Sequence, residues 1–332
     1  MSGQEKQKRE AASIPVIGSI YRYCRENIGI IVGCLLLGIL LTFASENFMK
    51  VSNWTNVLRQ ISTNFYLSVG IMLAIILGGI DLSVGSVLAV SGVISASLIT
   101  NNGMPVGAAI LLGCLAGTAI GLLNGLIIAF TDMPPFVVTI ATMNIGRGVA
   151  YLYANGNPIR VSNDTFEAIG LGYLGPIPLP VIYMAVILVF MYFLMNKSKM
   201  GSHIYAVGGN RQAAVYSGIN VRKVIIFVYT LSGLAASWAG IVLASRMASG
   251  QPATGVGYEA DAVAAAVLGG TSMTGGAGKV GGMVLGALLI GMLNNGLNLL
   301  GVNSFWQYVV KGTVILVAVY IDIFRKRKER FQ

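Results

Sequence analysis

An all-α, polytopic membrane protein of about ten transmembrane helices is the fold class this sequence predicts, at about 20 residues for each span. Three observations predict it. Of 332 residues, 55% are hydrophobic and only 10% are charged, where a soluble domain carries about 25% charged residues. The mean hydropathy of +0.75 points the same way. The basic residues stand in blocks between apolar runs, the pattern that orients membrane proteins.

Composition also excludes other classes. A net charge of +10 does not make a nucleic-acid groove here, because its carriers are interrupted by spans. Cys24, Cys34 and Cys114 have no paired spacing, and His203 is the only histidine. A zinc site, a His-based triad and a disulfide framework are therefore excluded by stoichiometry. No small-residue cleavage signature follows the first apolar run, so that run reads as a retained span rather than a removed leader.

The expected spans, in order, are 27–44, 61–78, 86–100, 106–131, 137–155, 177–195, 224–245, 259–269, 281–300 and 305–322. An even number returns the chain to its starting side. Basic residues concentrate in 1–26, 196–223 and 323–332, while the opposite connections hold only Lys50, Arg59, Arg160 and Arg246. Both termini are thus expected on the cytoplasmic side, with one transmembrane domain over 27–322. Ser52–Gln60, with Trp54, Val57 and Leu58 on one side, reads as a separate interfacial helix. Gly113, Gly117, Gly121 and Gly125 recur every fourth residue and form a smooth stripe for close helix packing.

Gly269–Gly282 imitates phosphate-binding loops without being one. Met273 stands where G-x-x-x-x-G-K-[ST] requires its first glycine, and Val280 replaces the hydroxyl that would hold Mg²⁺. Gly276, Gly278 and Gly281 fit G-x-G-x-x-G, but apolar spans flank them instead of alternating strands and helices. The better reading is a broken helix at a Gly-Gly step, and Gly78-Gly79 echoes Gly269-Gly270. A second echo joins Asn124-Gly125-Leu126 to Asn295-Gly296-Leu297 with a different offset. Interrupted helices in two halves point to a transport path.

Asp81 is the acidic residue of the first broken helix. Two readings stand: it N-caps the following span, or its charge serves a path or gate, where Arg147 in the fifth span would be a partner. Ser83, Ser86, Asn124, Asn144, Thr271, Ser272, Asn294 and Asn295 supply the uncharged hydroxyls and amides that a neutral solute would meet. In the longest inner loop, Asn210 suits an N-cap, Arg211–Ser217 a two-turn helix and Gly218 a left-handed C-terminal cap. Such a helix is marginal alone and needs a surface to lie against.

GGIDLSVGS at 78–86, GGN-x-x-A-A-x-x-SGIN-V at 208–221, the run 258–282 and LNNGLNLLGV at 293–302 resemble the ribose-type permeases. These are membrane subunits of bacterial ATP-binding cassette importers for ribose, xylose, galactose and related sugars. The likeness runs from about residue 30 to 323 and is closest to the ribose permeases, through GINV at 218–221 and GYEADA at 257–262. It implies a second permease subunit, a cytoplasmic ATPase that uses ATP and Mg, an extracytoplasmic sugar-binding protein and a monosaccharide substrate. It also implies a bacterial inner-membrane location among lipid, with no nucleic acid, no cofactor on this chain and no catalysis by it. Gly208, Gly209, Asn210, Arg211, Ala213, Ala214 and Gly218 fall in the loop that meets the ATPase in such systems. The family often has a basic residue where Val215 or Tyr216 stands here. The alternative is an ion-coupled secondary transporter, which should carry more intramembrane carboxylates than Asp81.

Overall fold

The computed structural model describes residues 23–25, 27–131 and 133–330. The rest of the expected inner segment 1–26, and residues 331 and 332 of the basic tail, lie outside the described residues. The helices are α1 (Ile28–Ala44), α2 (Val51–Ile76), α3 (Val84–Thr100), α4 (Val106–Phe130), α5 (Pro135–Tyr153) and α6 (Asp164–Leu171). There follow α7 (Leu179–Lys197), α8 (Lys199–Gly209), α9 (Arg211–Tyr216), α10 (Val221–Arg246), α11 (Tyr258–Leu268), α12 (Val280–Leu299) and α13 (Ser304–Arg330). Four two-residue strands add to the all-α expectation: β1 (Ile159–Arg160) pairs antiparallel with β4 (Ser249–Gly250), and β2 (Tyr173–Leu174) with β3 (Ile177–Pro178).

By length and composition, α4, α7, α10 and α12 can each cross a membrane, and α1 and α3 are shorter apolar helices. The 11 residues of α11 reach only about 16 Å, roughly half of a bilayer's hydrocarbon core. One expectation is overturned. Ser52–Gln60 is not a separate interfacial helix but the first turns of α2, which runs unbroken to Ile76. No glycine or proline interrupts 51–69, so nothing stops propagation.

The centre of the bundle is polar by sequence yet closed by packing. In α2 every residue from Ile61 to Ile76 is buried, including Ser62, Thr63, Asn64 and Ser68. Second at the centre is α10, which packs on α2, α3 and α4. The glycine stripe of α4 makes that possible. A Cβ on Gly117 would strike the hydroxyls of Ser237 and Ser91, and one on Gly121 would strike the backbone of Tyr229 and Gly233. The opposite face of α4 exposes Leu111, Leu115 and Leu123, so small residues meet protein and large ones face outward.

Both Gly-Gly steps end helices outright. At the first, Gly78 lies at φ 83°, its N–H bonds Ile75 O at 2.8 Å, and Gly79 N–H bonds Ala74 O at 2.9 Å. At the second, Gly270 lies at φ 86°, its N–H bonds Val267 O at 2.9 Å, and Thr271 N–H bonds Ala266 O at 3.0 Å. These are two copies of one left-handed cap, satisfying the last carbonyls of α2 and α11. The Asn-Gly-Leu echo has no such counterpart. Asn124 lies on the second helix after the first step and Asn295 on the first helix after the second.

The connections gather at two ends. At one, Tyr205 Oη donates to Gly278 O (2.7 Å), Gly276 N–H to Ile76 O (2.8 Å) and Tyr23 Oη to Gly281 O (2.8 Å). At the other, Arg59 Nη2 donates to Leu171 O (2.7 Å), Thr100 Oγ1 to Arg160 O (2.9 Å) and Ser245 Oγ to Phe166 O (2.5 Å).

If close approach holds α4 to α10, Gly121→Val should lower the yield of folded protein and its Tm in detergent. The cost expected is about 1–3 kcal/mol from overpacking. Gly107→Val, on the same helix where a Cβ meets nothing within 4 Å, should leave both unchanged. Equal stability of the two variants would refute the packing account.

Candidate functional site

The chemistry-bearing residues singled out in the sequence fall into four places rather than one. The first is a polar knot at the start of α3. Asp81 is 1% exposed. Its Oδ1 accepts from Ser83 N–H at 3.0 Å and from Ser83 Oγ at 2.6 Å, and its Oδ2 accepts from Ser232 Oγ of α10 at 2.6 Å. Ser83 Oγ in turn accepts from Asn124 Nδ2 of α4 at 2.9 Å. Ser86 Oγ donates to Ser83 O at 2.8 Å. Three helices are thus tied through one carboxylate and the Ser83 hydroxyl beside it.

Two sequence readings of Asp81 change here. The N-cap of α3 is Ser83, not Asp81; Asp81 closes a turn onto the amide of that N-cap from two residues upstream. Nor does Arg147 pair with it. The Arg147 guanidinium donates to the carbonyls of Pro252 and Thr254 at 2.6 Å each and of Gly85 at 3.3 Å. Five fixed donors suit it to several carbonyls at once, and three are within reach.

The second place is a backbone junction. The turn 269–279 contains Thr271 and Ser272, both buried, and Ser272 Oγ lies 2.8 Å from Thr274 Oγ1. Gly275 and Gly276 sit at φ 83° and 71° and press this turn against the ends of α2 and α8. A Cβ on Gly208 would collide with Ile76 O, and one on Gly276 with the backbone of Gly209. Gly269–Gly282 is thus a cap followed by a docked turn.

From this junction projects α9. Asn210 Oδ1 accepts from Ala213 N–H at 2.9 Å. Gly218 lies at φ 78°, and Ile219 N–H bonds Ala214 O at 3.0 Å. Both caps fall where the spacing predicts, and the helix is one residue shorter than expected. Its two alanines face apart. Ala214 is 3% exposed and joins the chain's own core, while Ala213, Arg211, Val215 and Tyr216 are exposed, Tyr216 at 89%.

Third, at the opposite end, Asn295 and Asn53 exchange two amide bonds, 2.8 and 3.1 Å, between α12 and α2. The neighbouring Asn294 Nδ2 donates to Asp261 Oδ2 at 3.0 Å, and Lys311 Nζ of α13 bonds the same oxygen at 2.9 Å. Sequence reasoning missed this pair, although charges of opposite sign within two apolar runs, Asp261 beside Glu259 in one and Lys311 in the other, were a usable signal. The fourth place is Asn144, alone on an exposed face of α5, its amide donating to Ile140 O at 3.0 Å.

With this geometry in view, the comparisons can be stated. Residues 53–319 match the family described as branched-chain amino acid transport system / permease component. The chain is 45% identical over 299 residues to the Ribose import permease protein RbsC of Bacillus subtilis (strain 168), covering 90% of this chain and 92% of that protein. It is 43% identical to the protein of the same name in Escherichia coli (strain K12), over 88% and 92% of the two chains. To the D-allose transport system permease protein AlsC of that organism it is 37% identical, over 87% and 88%. No solved structure matches.

Asparagine can make all three contacts at position 81, because Ser232 Oγ can accept as well as donate. Asp81→Asn should therefore keep the Tm within a few degrees of the parent. Asp81→Leu strands an amide and two hydroxyls and should cost several kcal/mol, at about 1–3 kcal/mol for each buried unsatisfied group. Thermal unfolding of the two variants reads this directly. Equal destabilisation by both would mean that the charge itself is required.

Proposed function

The chain belongs to the branched-chain amino acid transport system / permease component family, and from that premise we propose that it is the membrane subunit of an ATP-binding cassette importer carrying a monosaccharide inward. It is a multi-pass protein of the bacterial inner membrane. Ribose or a related sugar is the substrate of this reading, a second copy of the chain completes the pathway, and an extracytoplasmic binding protein delivers the sugar. The observation that carries it is 45% identity to a ribose import permease over 90% of the chain.

The chain crosses the membrane ten times in this reading, with both ends inside. Supporting it, the basic segment 196–223 and Tyr23 meet the turns 76–79 and 275–281 at one end of the bundle. Arg59, Arg160 and Arg246 stand at the other. Helix α11 spans half the bilayer from one side, and the turn 269–279 completes the crossing.

ATP hydrolysis belongs to a partner ATPase, which must push on this chain through a rigid contact. Helix α9 suits that task. It is capped at both ends, anchored inward by Ala214, and it offers Val215 and Tyr216 to the aqueous side. Immediately behind it, the Gly208 junction leads to both Gly-Gly turns. Asp81, Ser83, Asn124 and Asn144 in the first half, and Thr271, Ser272 and Asn295 in the second, remain proposed walls or hinges of the path. The knot and the Asn53–Asn295 pair hold helices in register in either case.

Proteoliposomes containing the permease, its ATPase and its binding protein should take up D-ribose when ATP is supplied, and not when the ATPase is omitted. Uptake driven by a proton or sodium gradient without ATPase would overturn this reading in favour of ion coupling. Val215→Asp with Tyr216→Asp should leave insertion intact and abolish co-purification with the ATPase; undiminished co-purification and uptake would remove α9 from the interface. For sidedness, cysteines placed at Ser198 and at Asn163 in a cysteine-free background should react with impermeant maleimides from opposite faces. Labelling from one face would refute the ten-crossing arrangement.

A further inference from the structure

A solute path needs somewhere for a polar solute to rest, and the knot at Asp81 is closed. Three cavities among the described residues differ in what they could hold. One of about 10 Å³ between α3 and α10 has room for a single water. One of about 400 Å³, beside Trp54, is walled by Cys34, Leu35, Phe43, Phe48 and Met292 and suits acyl chains. A third, of about 330 Å³, lies between α11 and α13 and combines volume with polarity.

Its walls include Tyr258, Asp261, Ser304, Gln307, Tyr308 and Lys311. Small-molecule sites are about 300–1,000 Å³, aromatic-lined, with a few fixed polar groups; this cavity meets each condition. Asp261 is 2% exposed, and its bonds from Asn294 and Lys311 both converge on Oδ2. Oδ1 receives no hydrogen bond from the described residues. Lys311 Nζ makes a single bond of the three it can donate, and its side chain is 21% exposed. Gln307 is held in place by Asn298 Oδ1 at 2.9 Å and Val302 O at 3.0 Å. A fixed carboxylate oxygen with open lone pairs, a cation with spare donors and two phenol rings form a set that a vicinal diol on a compact ring would satisfy. A hydroxyl pair can donate to Asp261 and accept from Lys311 at once, and a carbon-bearing ring face can lie on tyrosine.

We propose that the cavity between α11 and α13 is a resting site for a monosaccharide within the permease, with Asp261 and Lys311 taking adjacent hydroxyls. This rests on the sugar-import reading. It makes the ion pair a specificity element, since an epimer that turns one hydroxyl away leaves a buried polar group unpaired, a loss that discriminates strongly.

The test uses the whole permease in lipid nanodiscs with Cys24, Cys34 and Cys114 replaced by Ala. Gly312 lines the cavity with nothing within 4 Å of its Cβ direction, so Gly312→Cys reports access to it. D-ribose at roughly tens of millimolar fills a millimolar site and should slow maleimide labelling of that cysteine about fivefold, with mannitol as the acyclic control. Lys311→Met and, separately, Tyr308→Leu should each abolish the protection. Tyr308 is exposed and makes no hydrogen bond among the described residues, so its variant tests the site without threatening the fold. Equal labelling with ribose and with mannitol overturns the inference, as does protection that survives both substitutions. If the assembled transporter still imports ribose in those cases, the sugar-import reading stands. If it imports none of D-ribose, D-allose, L-arabinose or D-galactose, that reading falls and the resting site with it.

Discussion

The contact on which the rest of this structure depends is backbone against backbone. Hydrocarbon solvent offers no hydrophobic reward for burying one apolar helix on another, so the bundle relies on dispersion at short range, which vanishes with the first misplaced methyl. Gly113, Gly117, Gly121 and Gly125 bring α4 onto the serines of α3 and α10 and onto the backbone at Gly233. Gly92 and Gly240 do the same between α3 and α10. With those approaches made, the serine hydroxyls lie near enough for the Asp81 knot to form. The hydrogen bonds are consequences of the close approach and then lock it.

The two ends of the bundle are joined by different chemistry. At the end holding the basic loop, α2, α8 and the turn 269–279 touch through Gly208, Gly275 and Gly276 with scarcely a side chain between them. At the far end, amides, guanidinium and carboxylates do the joining, at Asn53–Asn295, Arg59–Leu171 and Asp261–Lys311. A glycine junction transmits displacement with little slack and little torsional resistance. Directional polar bonds fix register instead.

What the sequence disclosed and what it withheld follow from range. Caps are local, so Asn210 and Gly218 could be read from their neighbours, and so could the glycine stripe from its own period. The end of α2 was also legible, because Gly78 imposes a conformation that few other residues adopt. Its beginning was not: the polar face of Ser52–Gln60 looks interfacial alone, whereas Asn53 and Arg59 on it are buried against Asn295 of α12 and the carbonyl of Leu171. The partner of Asp81 lies 151 residues away at Ser232, and no pattern in 78–86 announces a serine on α10. Which side of α9 faces inward was equally hidden, since a helix of 6 residues carries too few positions to define a face. Asp261 and Lys311 were visible only as charges in separate apolar runs, Asp261 with Glu259 beside it, and choosing the pair required the fold.

The junction at Gly208 and Ile76 has a genetic corollary. Glycine codons share their first two bases, and every missense neighbour of a glycine codon encodes a residue with a Cβ. At Gly208 that first carbon already collides with a carbonyl oxygen, so no small step leads from this residue to a tolerated one. The knot is different, for asparagine is one base from aspartate and can occupy position 81 with its bonds intact. Drift within this protein is therefore uneven. It can wander at polar ties such as the knot, while at the Gly208 seam the obstacle is a backbone carbonyl of Ile76 that no side-chain change on α2 removes.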